Sequence, residues 1–183
     1  MPFARAKKKP GPLDEAALYE YAVNALGRRM RTVTELTRLM RLRVEPGDSG
    51  KTKMDAVVAR LKEYGYLNDA DYAANYAKLR QENANFGRRR VRQDLSVKGV
   101  QAELIAATLD AAYENVNEVE LARRHLERKG VKKPVNEKEA ARVMRMLVRA
   151  GFSTGVIFSI LKRWDMPGEA LAALESIEDD PTA

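Results

Sequence analysis

From Asp14 to Trp164 the apolar residues recur at three- and four-residue intervals, and no stretch alternates Val, Ile, Thr and aromatic residues with a period of two. The pattern predicts an all-α chain. Helix starts are marked in the sequence. Thr32-Val33-Thr34-Glu35 has the form of a capping box, in which the Thr hydroxyl and the Glu carboxylate take backbone N–H groups left unpaired by the first turn. Asn117 and Ser153 are placed to cap two later helices. Gly65, Gly99, Gly130 and Gly151 each follow a charged helical run and predict its end. Val44 to Lys53, rich in small and polar residues, is expected to be an exposed loop.

The apolar spacing also repeats over longer distances. Leu104, Ile105, Thr108 and Leu109 are matched in spacing by Val156, Ile157, Ile160 and Leu161, while an earlier segment keeps Val57, Val58 and Leu61 with Lys62 in the last place. Ahead of them the pairs Val91/Leu95 and Val143/Leu147 correspond, with Leu36 as the earlier counterpart. This predicts three tandem three-helix bundles at 14–67, 68–113 and 114–167, between a basic flexible arm at 1–13 and an acidic tail at 168–183. Each unit is too short to bury a large core alone, so neighbours should stack into an elongated, curved array.

Composition narrows the chemistry. The chain of 183 residues has no cysteine and one histidine, His125, which excludes a disulfide framework, a Cys-ligated metal and a multi-histidine zinc centre. The first twelve residues are basic but lack an apolar stretch, and no run of 18 apolar residues occurs. The expectation is a cytoplasmic protein without membrane contact. With 33 Lys and Arg against 26 Asp and Glu, the net charge is +7. The excess is uneven: 114–167 holds twelve basic against seven acidic residues, whereas the tail carries Glu169, Glu175, Glu178, Asp179 and Asp180. Such a distribution points to a polyanionic partner, or one with an acidic groove.

Three arginine clusters are the candidate partner-binding residues. On a helix from Glu137 to Ala150, Ala140, Val143, Met144, Leu147 and Val148 form one apolar face. Arg142, Arg145 and Arg149 lie opposite it, with no acid after Glu139 to pair with them. Arg88, Arg89, Arg90 and Arg92 open another helix, where they oppose its macrodipole for no local gain. Arg28, Arg29 and Arg31 precede the Thr32 cap in a comparable place. Guanidinium forks suit bidentate contact with phosphate or carboxylate.

Other features carry less. Gly47-Asp48-Ser49-Gly50-Lys51-Thr52 resembles a phosphate loop, but Glu45 stands where its first glycine is needed and no strand precedes it. His125 has no Ser, Cys or paired carboxylate marked beside it, so it reads as a helix-surface or interface residue. Trp164, in series with Val156 and Ile160, reads as a core anchor. No catalytic, cofactor-binding or metal-binding residue is indicated, and an enzyme is not expected.

Several ordered motifs resemble one family. They are Ala22 to Leu36 with its Arg-rich turn and Thr32-x-x-Glu35-Leu36; Tyr64-Gly65-Tyr66-Leu67-Asn68-Asp69-Ala70-Asp71-Tyr72-Ala73; Asn85-Phe86-Gly87-Arg88-Arg89-Arg90-Val91; Asp94-Leu95; Lys98-Gly99-Val100; and Arg149-Ala150-Gly151-Phe152. Together they resemble the RecX family of bacterial RecA regulators, in order over 14–167. Asn68 stands where that family often has an acid. The resemblance implies three tandem three-helix repeats that bind in the groove of the RecA filament on single-stranded DNA and restrain ATP hydrolysis, strand exchange and co-protease activity. The expected partners are that filament, single-stranded DNA and, weakly, duplex DNA, with the protein acting as a monomer. The alternative is a helix–turn–helix transcription regulator using Arg88 to Ala112 or Glu137 to Trp164. The starts of the second helices, Gln101-Ala102-Glu103 and Ser153-Thr154-Gly155, are poor in base-reading side chains.

Overall fold

The computed structural model describes residues 11–164, so most of the basic arm and the acidic tail lie outside the described residues. Within them every regular element is an α-helix, as the apolar spacing predicts. In chain order these are α1 (Glu15–Arg28), α2 (Val33–Arg41), α3 (Asp48–Glu63), α4 (Asp69–Ala84), α5 (Arg88–Val97), α6 (Ala102–Tyr113), α7 (Glu118–Arg128), α8 (Glu137–Arg149) and α9 (Thr154–Arg163). The chain divides into two compact units. The first runs through Tyr72 and takes in Lys98–Val100; the second holds Ala73–Val97 and continues from Gln101.

In the first unit α1, α2 and α3 pack on one another around Leu18, Ala22, Leu36, Met40, Met54, Val57, Leu61 and Leu67. A fully buried side chain of this size stabilises by roughly 1.5–3 kcal/mol, against less than about 1 kcal/mol for an exposed ion pair, so this cluster decides the fold of the unit. In the second unit α5 packs on α6, and α7 and α8 each pack on α9. The matched apolar pairs Val57/Leu61, Ile105/Leu109 and Ile157/Leu161 are all buried. Their flanking partners Val58, Leu104, Thr108 and Val156 are only half-buried, because a position one residue away turns about 100° toward the helix edge.

The expected caps at Thr32, Asn117 and Ser153 form, each accepting a backbone N–H of its helix. The reciprocal half of the Thr32 box does not: Glu35 instead accepts Lys98 Nζ at 3.0 Å. Asn68 caps α4 through its side-chain oxygen, doing the work of an acid there. The expected loop over 44–53 is corrected, since α3 already begins at Asp48 and Gly50 is buried. Glu45 explains it. Its carboxylate accepts Ser49 Oγ and Lys53 Nζ, both at 2.7 Å, and these bonds hold its pKa down at about 2. A side chain at Gly50 would collide with the Glu45 carbonyl. Two apolar expectations also change: Val148 is 46% exposed, and Trp164 is half-buried as the residue capping α9.

One joint is built twice on the same plan. In the first unit Val33 N–H, at the start of α2, donates to Asp69 Oδ1 at 2.9 Å. Beside it Thr32 Oγ donates to the Lys98 carbonyl at 2.6 Å and Thr34 Oγ to the Gly99 carbonyl at 3.1 Å. In the second unit Arg88 N–H, at the start of α5, donates to Glu118 Oε1 at 3.3 Å. There Gly87 N–H donates to the Ala150 carbonyl at 2.8 Å and Arg89 N–H to the Gly151 carbonyl at 3.1 Å. An acid opening a later helix and two carbonyls of a glycine turn thus take donors that a helix start leaves unpaired, or hydroxyls beside them. The turns come this close because Gly99 and Gly151 have no Cβ. Both have positive φ, +78° and +89°, and a Cβ would strike the Thr34 side chain in one case and the Arg90 backbone in the other.

Substitution separates these two costs. Gly130 also has positive φ but open surroundings, so Gly130→Ala should cost about 1–2 kcal/mol from backbone strain alone. Gly151→Ala adds the collision with Arg90 and should cost about 3 kcal/mol or more. Urea unfolding followed by the fluorescence of Trp164, the chain's single tryptophan, measures the difference.

Candidate functional site

The three arginine clusters have different fates. Arg28 ends α1 and Arg29 caps its C-terminus, where the helix dipole favours them; both are exposed. Arg31 is half-buried and its Nε donates to the Ala25 carbonyl at 3.2 Å, closing the last turn of α1. These three therefore end a helix, whereas the second cluster opens one.

The expectation of no local gain for the second cluster is corrected: Arg90 finds an acid four residues on in α5 itself, and Arg88 finds one from a distant segment. Arg88 pairs with Asp110, and Arg90 with Asp94 at 3.0 Å. The Arg90 guanidinium also stands 5.7 Å from the Phe86 ring centroid and reaches the Arg149 carbonyl at 3.5 Å. The N-terminus of α5 abuts the C-terminal turn of α8, so the partial negative charge of that turn offsets the arginines' conflict with their own helix. Arg89 and Arg92 remain exposed, and no carboxylate pairs with them among the described residues.

The third cluster forms as expected on α8. Ala140, Val143, Met144 and Leu147 are buried, and Arg142, Arg145 and Arg149 are exposed without an ion-pair partner among the described residues. Beside this stripe lies a hollow of about 420 Å³ lined by Phe86, Arg90, His125, Lys129, Arg142, Arg145, Met146, Arg149 and Ala150. Five of these side chains are Arg or Lys cations and none is acidic. The structure thus brings Arg90 to Arg142, Arg145 and Arg149, leaves Arg88, Arg89 and Arg92 outside the lining, and adds Lys129. The sequence did hold a clue to Lys129, which follows His125 by four residues and so falls on the same side of the α7 terminus. A neighbouring hollow of about 300 Å³ shares Lys129, Arg142 and Met146 and adds Lys132 and Lys133, along with Glu139. Glu139 there accepts Val135 N–H at 3.0 Å.

His125 is not a surface residue. It is 3% exposed, and its Nδ1 donates to the Ala84 carbonyl at 3.0 Å, since a carbonyl can only accept. Its ring sits 6.0 Å from Phe86 and 6.1 Å from Phe152, making it part of the wall that fixes the groove. Among the described residues no hydroxyl, thiol or carboxylate bonds to it. Among the described residues no His, Asp and Glu cluster is placed to hold a metal, and no helix is long and apolar enough to cross a membrane. What this arrangement can do is attract and orient an anionic surface through guanidinium forks.

Burial lowers the pKa of His125, the Lys129 and Arg128 charges lower it further, and the bond to Ala84 only partly opposes them. A base whose folded pKa lies below its unfolded value of about 6.5 binds protons more readily when unfolded. Stability should therefore be complete above about pH 6.5 and fall on acidification, at no more than about 1.4 kcal/mol per pH unit. Urea midpoints between pH 7.5 and 5.5 should show the fall, and His125→Gln, which keeps a donor for Ala84, should flatten it.

Known proteins agree with this architecture. The family model described as RecX, second three-helix domain, matches residues 68–109. Regulatory protein RecX of Leptothrix cholodnii is 33% identical over 144 residues, covering 79% of this chain and 87% of the relative. Regulatory protein RecX of Mycobacterium ulcerans is 31% identical over 153 residues, covering 82% and 86%. The crystal structure of RecX from Lactobacillus salivarius superposes with a TM-score of 0.64 at 20% identity, over 82% of this chain and 96% of that one. That likeness shows the shared helical fold, and the identity to the curated relatives shows the lineage: the chain belongs to the RecX family of regulatory proteins.

Proposed function

We propose that this chain is a non-enzymatic negative regulator of the RecA recombinase, which binds in the groove of the RecA–single-stranded DNA filament and lowers ATP hydrolysis, strand exchange and co-protease activity. The observation that carries the reading is the groove of the second unit: five cations and no lining acid. Family membership supports it, because the relatives are named as regulatory proteins. On this reading the chain works in the cytoplasm as a monomer. It is organised as repeats at 14–67, 68–113 and 114–167 with an arm at 1–13 and a tail at 168–183, and the twice-built joint supports that division.

Affinity then arises from many modest contacts, with Arg142, Arg145 and Arg149 joined by Arg28, Arg29, Arg31, Arg88, Arg89, Arg90 and Arg92. Of these, Arg31, Arg88 and Arg90 also have structural roles, so the open guanidiniums contribute most. Linked contacts gain avidity only where several binding sites lie within reach at once, which selects the assembled filament over free protomers. A ligand that prefers one filament state shifts the filament toward it, so slower turnover reflects trapping of an incompetent arrangement. The same cations bind single-stranded DNA, and duplex more weakly. Affinity should fall with salt at a slope of about −0.7Z on single strands and −0.9Z on duplex for Z phosphates neutralised. Nothing favours the transcription-regulator alternative: Ser153 is spent capping α9, leaving Thr154 and Gly155 at the start of that helix.

The test is charge reversal. Arg142→Glu/Arg145→Glu/Arg149→Glu should keep its helical circular dichroism and lose about tenfold or more in inhibition of RecA ATP hydrolysis, equivalent to about 1.4 kcal/mol of binding. Unchanged inhibition by the folded variant would refute the proposal.

A further inference from the structure

The first unit carries a second kind of surface. At the end of α3 the chain turns through Tyr64, Gly65 and Tyr66 before Leu67 re-enters the core. Tyr64 and Tyr66 are 57% and 60% exposed, with ring centroids 6.4 Å apart and planes at 59°. One turn earlier on α3, the Arg60 guanidinium lies 4.4 Å from the Tyr19 ring and 5.7 Å from the Tyr64 ring. A comparable pair is Arg43 over Tyr21, at 5.0 Å. Neither Arg60 nor Arg43 pairs with a carboxylate among the described residues. The outcome is a row of ring, cation, ring, ring: Tyr19, Arg60, Tyr64 and Tyr66.

Two features set this row apart from incidental exposure. The turn is tied down, with Gly65 N–H on the Lys62 carbonyl at 3.0 Å and Tyr66 and Leu67 N–H on the Leu61 carbonyl at 2.9 and 3.2 Å. Buried Leu67 pins its end, so two flat rings are held in solvent on a fixed backbone and little ordering is needed on binding. Second, the exposed residues that flank the turn in sequence, Lys62, Glu63, Asn68 and Asp71, are all polar or charged. Aromatic faces alternating with guanidinium suit planar bases, which stack on tyrosine whatever their identity.

We propose that Tyr64 and Tyr66, backed by Arg60 and Tyr19, form a stacking platform for the bases of single-stranded nucleic acid. The site is separate in chemistry from the basic groove and does not rest on the filament reading. The exposed cations Arg60 and Lys62 are balanced by the exposed acids Glu63 and Asp71, so stacking supplies the binding and phosphate contacts add little. The groove follows phosphates; the platform takes bases.

The experiment titrates the full chain with a fluorescent oligothymidylate and with an abasic oligonucleotide of equal length, across a salt series. Tyr64→Ala/Tyr66→Ala should bind the oligothymidylate about tenfold more weakly with an unchanged salt slope, and the abasic chain as tightly as the parent does. Tyr64→Phe/Tyr66→Phe, which keeps both rings, should bind like the parent. Photo-crosslinking of the unaltered protein to a 5-iodouracil oligonucleotide should label the 64–66 segment, a readout independent of any variant's folding. The proposal is overturned if the alanine pair binds the oligothymidylate normally, if it loses abasic binding equally, or if crosslinks avoid that segment. Should the alanine pair keep oligonucleotide binding but lose inhibition of RecA, the platform is a protein contact instead; loss of the arginine-stripe effect alone would leave it standing.

Discussion

The structure depends on a backbone-to-helix contact that only glycine permits. A helix start presents N–H groups without intrahelical partners, and at α2 and α5 these groups and adjoining hydroxyls are met from far along the chain. An acid takes the first N–H, and two carbonyls of a glycine turn take the donors on either side. The first joint makes its carbonyl contacts with the hydroxyls of Thr32 and Thr34, the second with the N–H groups of Gly87 and Arg89. The same geometry is therefore reached by different chemistry. This explains why motifs separated by dozens of residues belong together: Thr32-Val33-Thr34-Glu35 meets Lys98-Gly99, and Gly87-Arg88-Arg89-Arg90 meets Ala150-Gly151.

The joint also sorts the charges. By pressing the start of α5 against the end of α8, it gives Arg90 a carbonyl and places it on the groove beside Arg142, Arg145 and Arg149. Arg88 and Arg90 are held by acids, while the α8 arginines have none among the described residues, so one residue type serves two ends. A half-buried pair at the surface such as Arg90–Asp94 is worth about 1 kcal/mol. The α8 stripe has no such pair among the described residues, and its cations repel one another across the groove. An anionic partner would remove that repulsion, which is why the stripe supports the proposed binding role more strongly than the neutralised arginines do.

Legibility followed the range of the interaction. The glycine stops at Gly99 and Gly151, the caps at Thr32, Asn117 and Ser153, and the buried face of α8 all rest on contacts within a few residues, and periodicity displays such contacts directly. The expectations that changed depended on partners elsewhere. Glu35 has a better partner in Lys98 than in its own helix, and His125 is enclosed by Phe86, Phe152 and the Ala84 carbonyl; Glu45 is the exception, since Ser49 and Lys53, which draw 48–53 into α3, stand only four and eight residues on. Lys129 joins the groove only because α7 and α8 both pack on α9 and the end of α7 is brought to the α8 arginines.

By itself the sequence determined the helical class, most helix ends, the apolar faces, the basic stripe of α8 and the family, because each is written in spacing a few residues long or in ordered motifs. Tertiary structure alone decided that Arg88 meets Asp110, that His125 is buried, and that two glycine turns seat on two helix starts. Those outcomes depend on which carboxylates and carbonyls arrive from distant segments, and a linear pattern holds no distance between them.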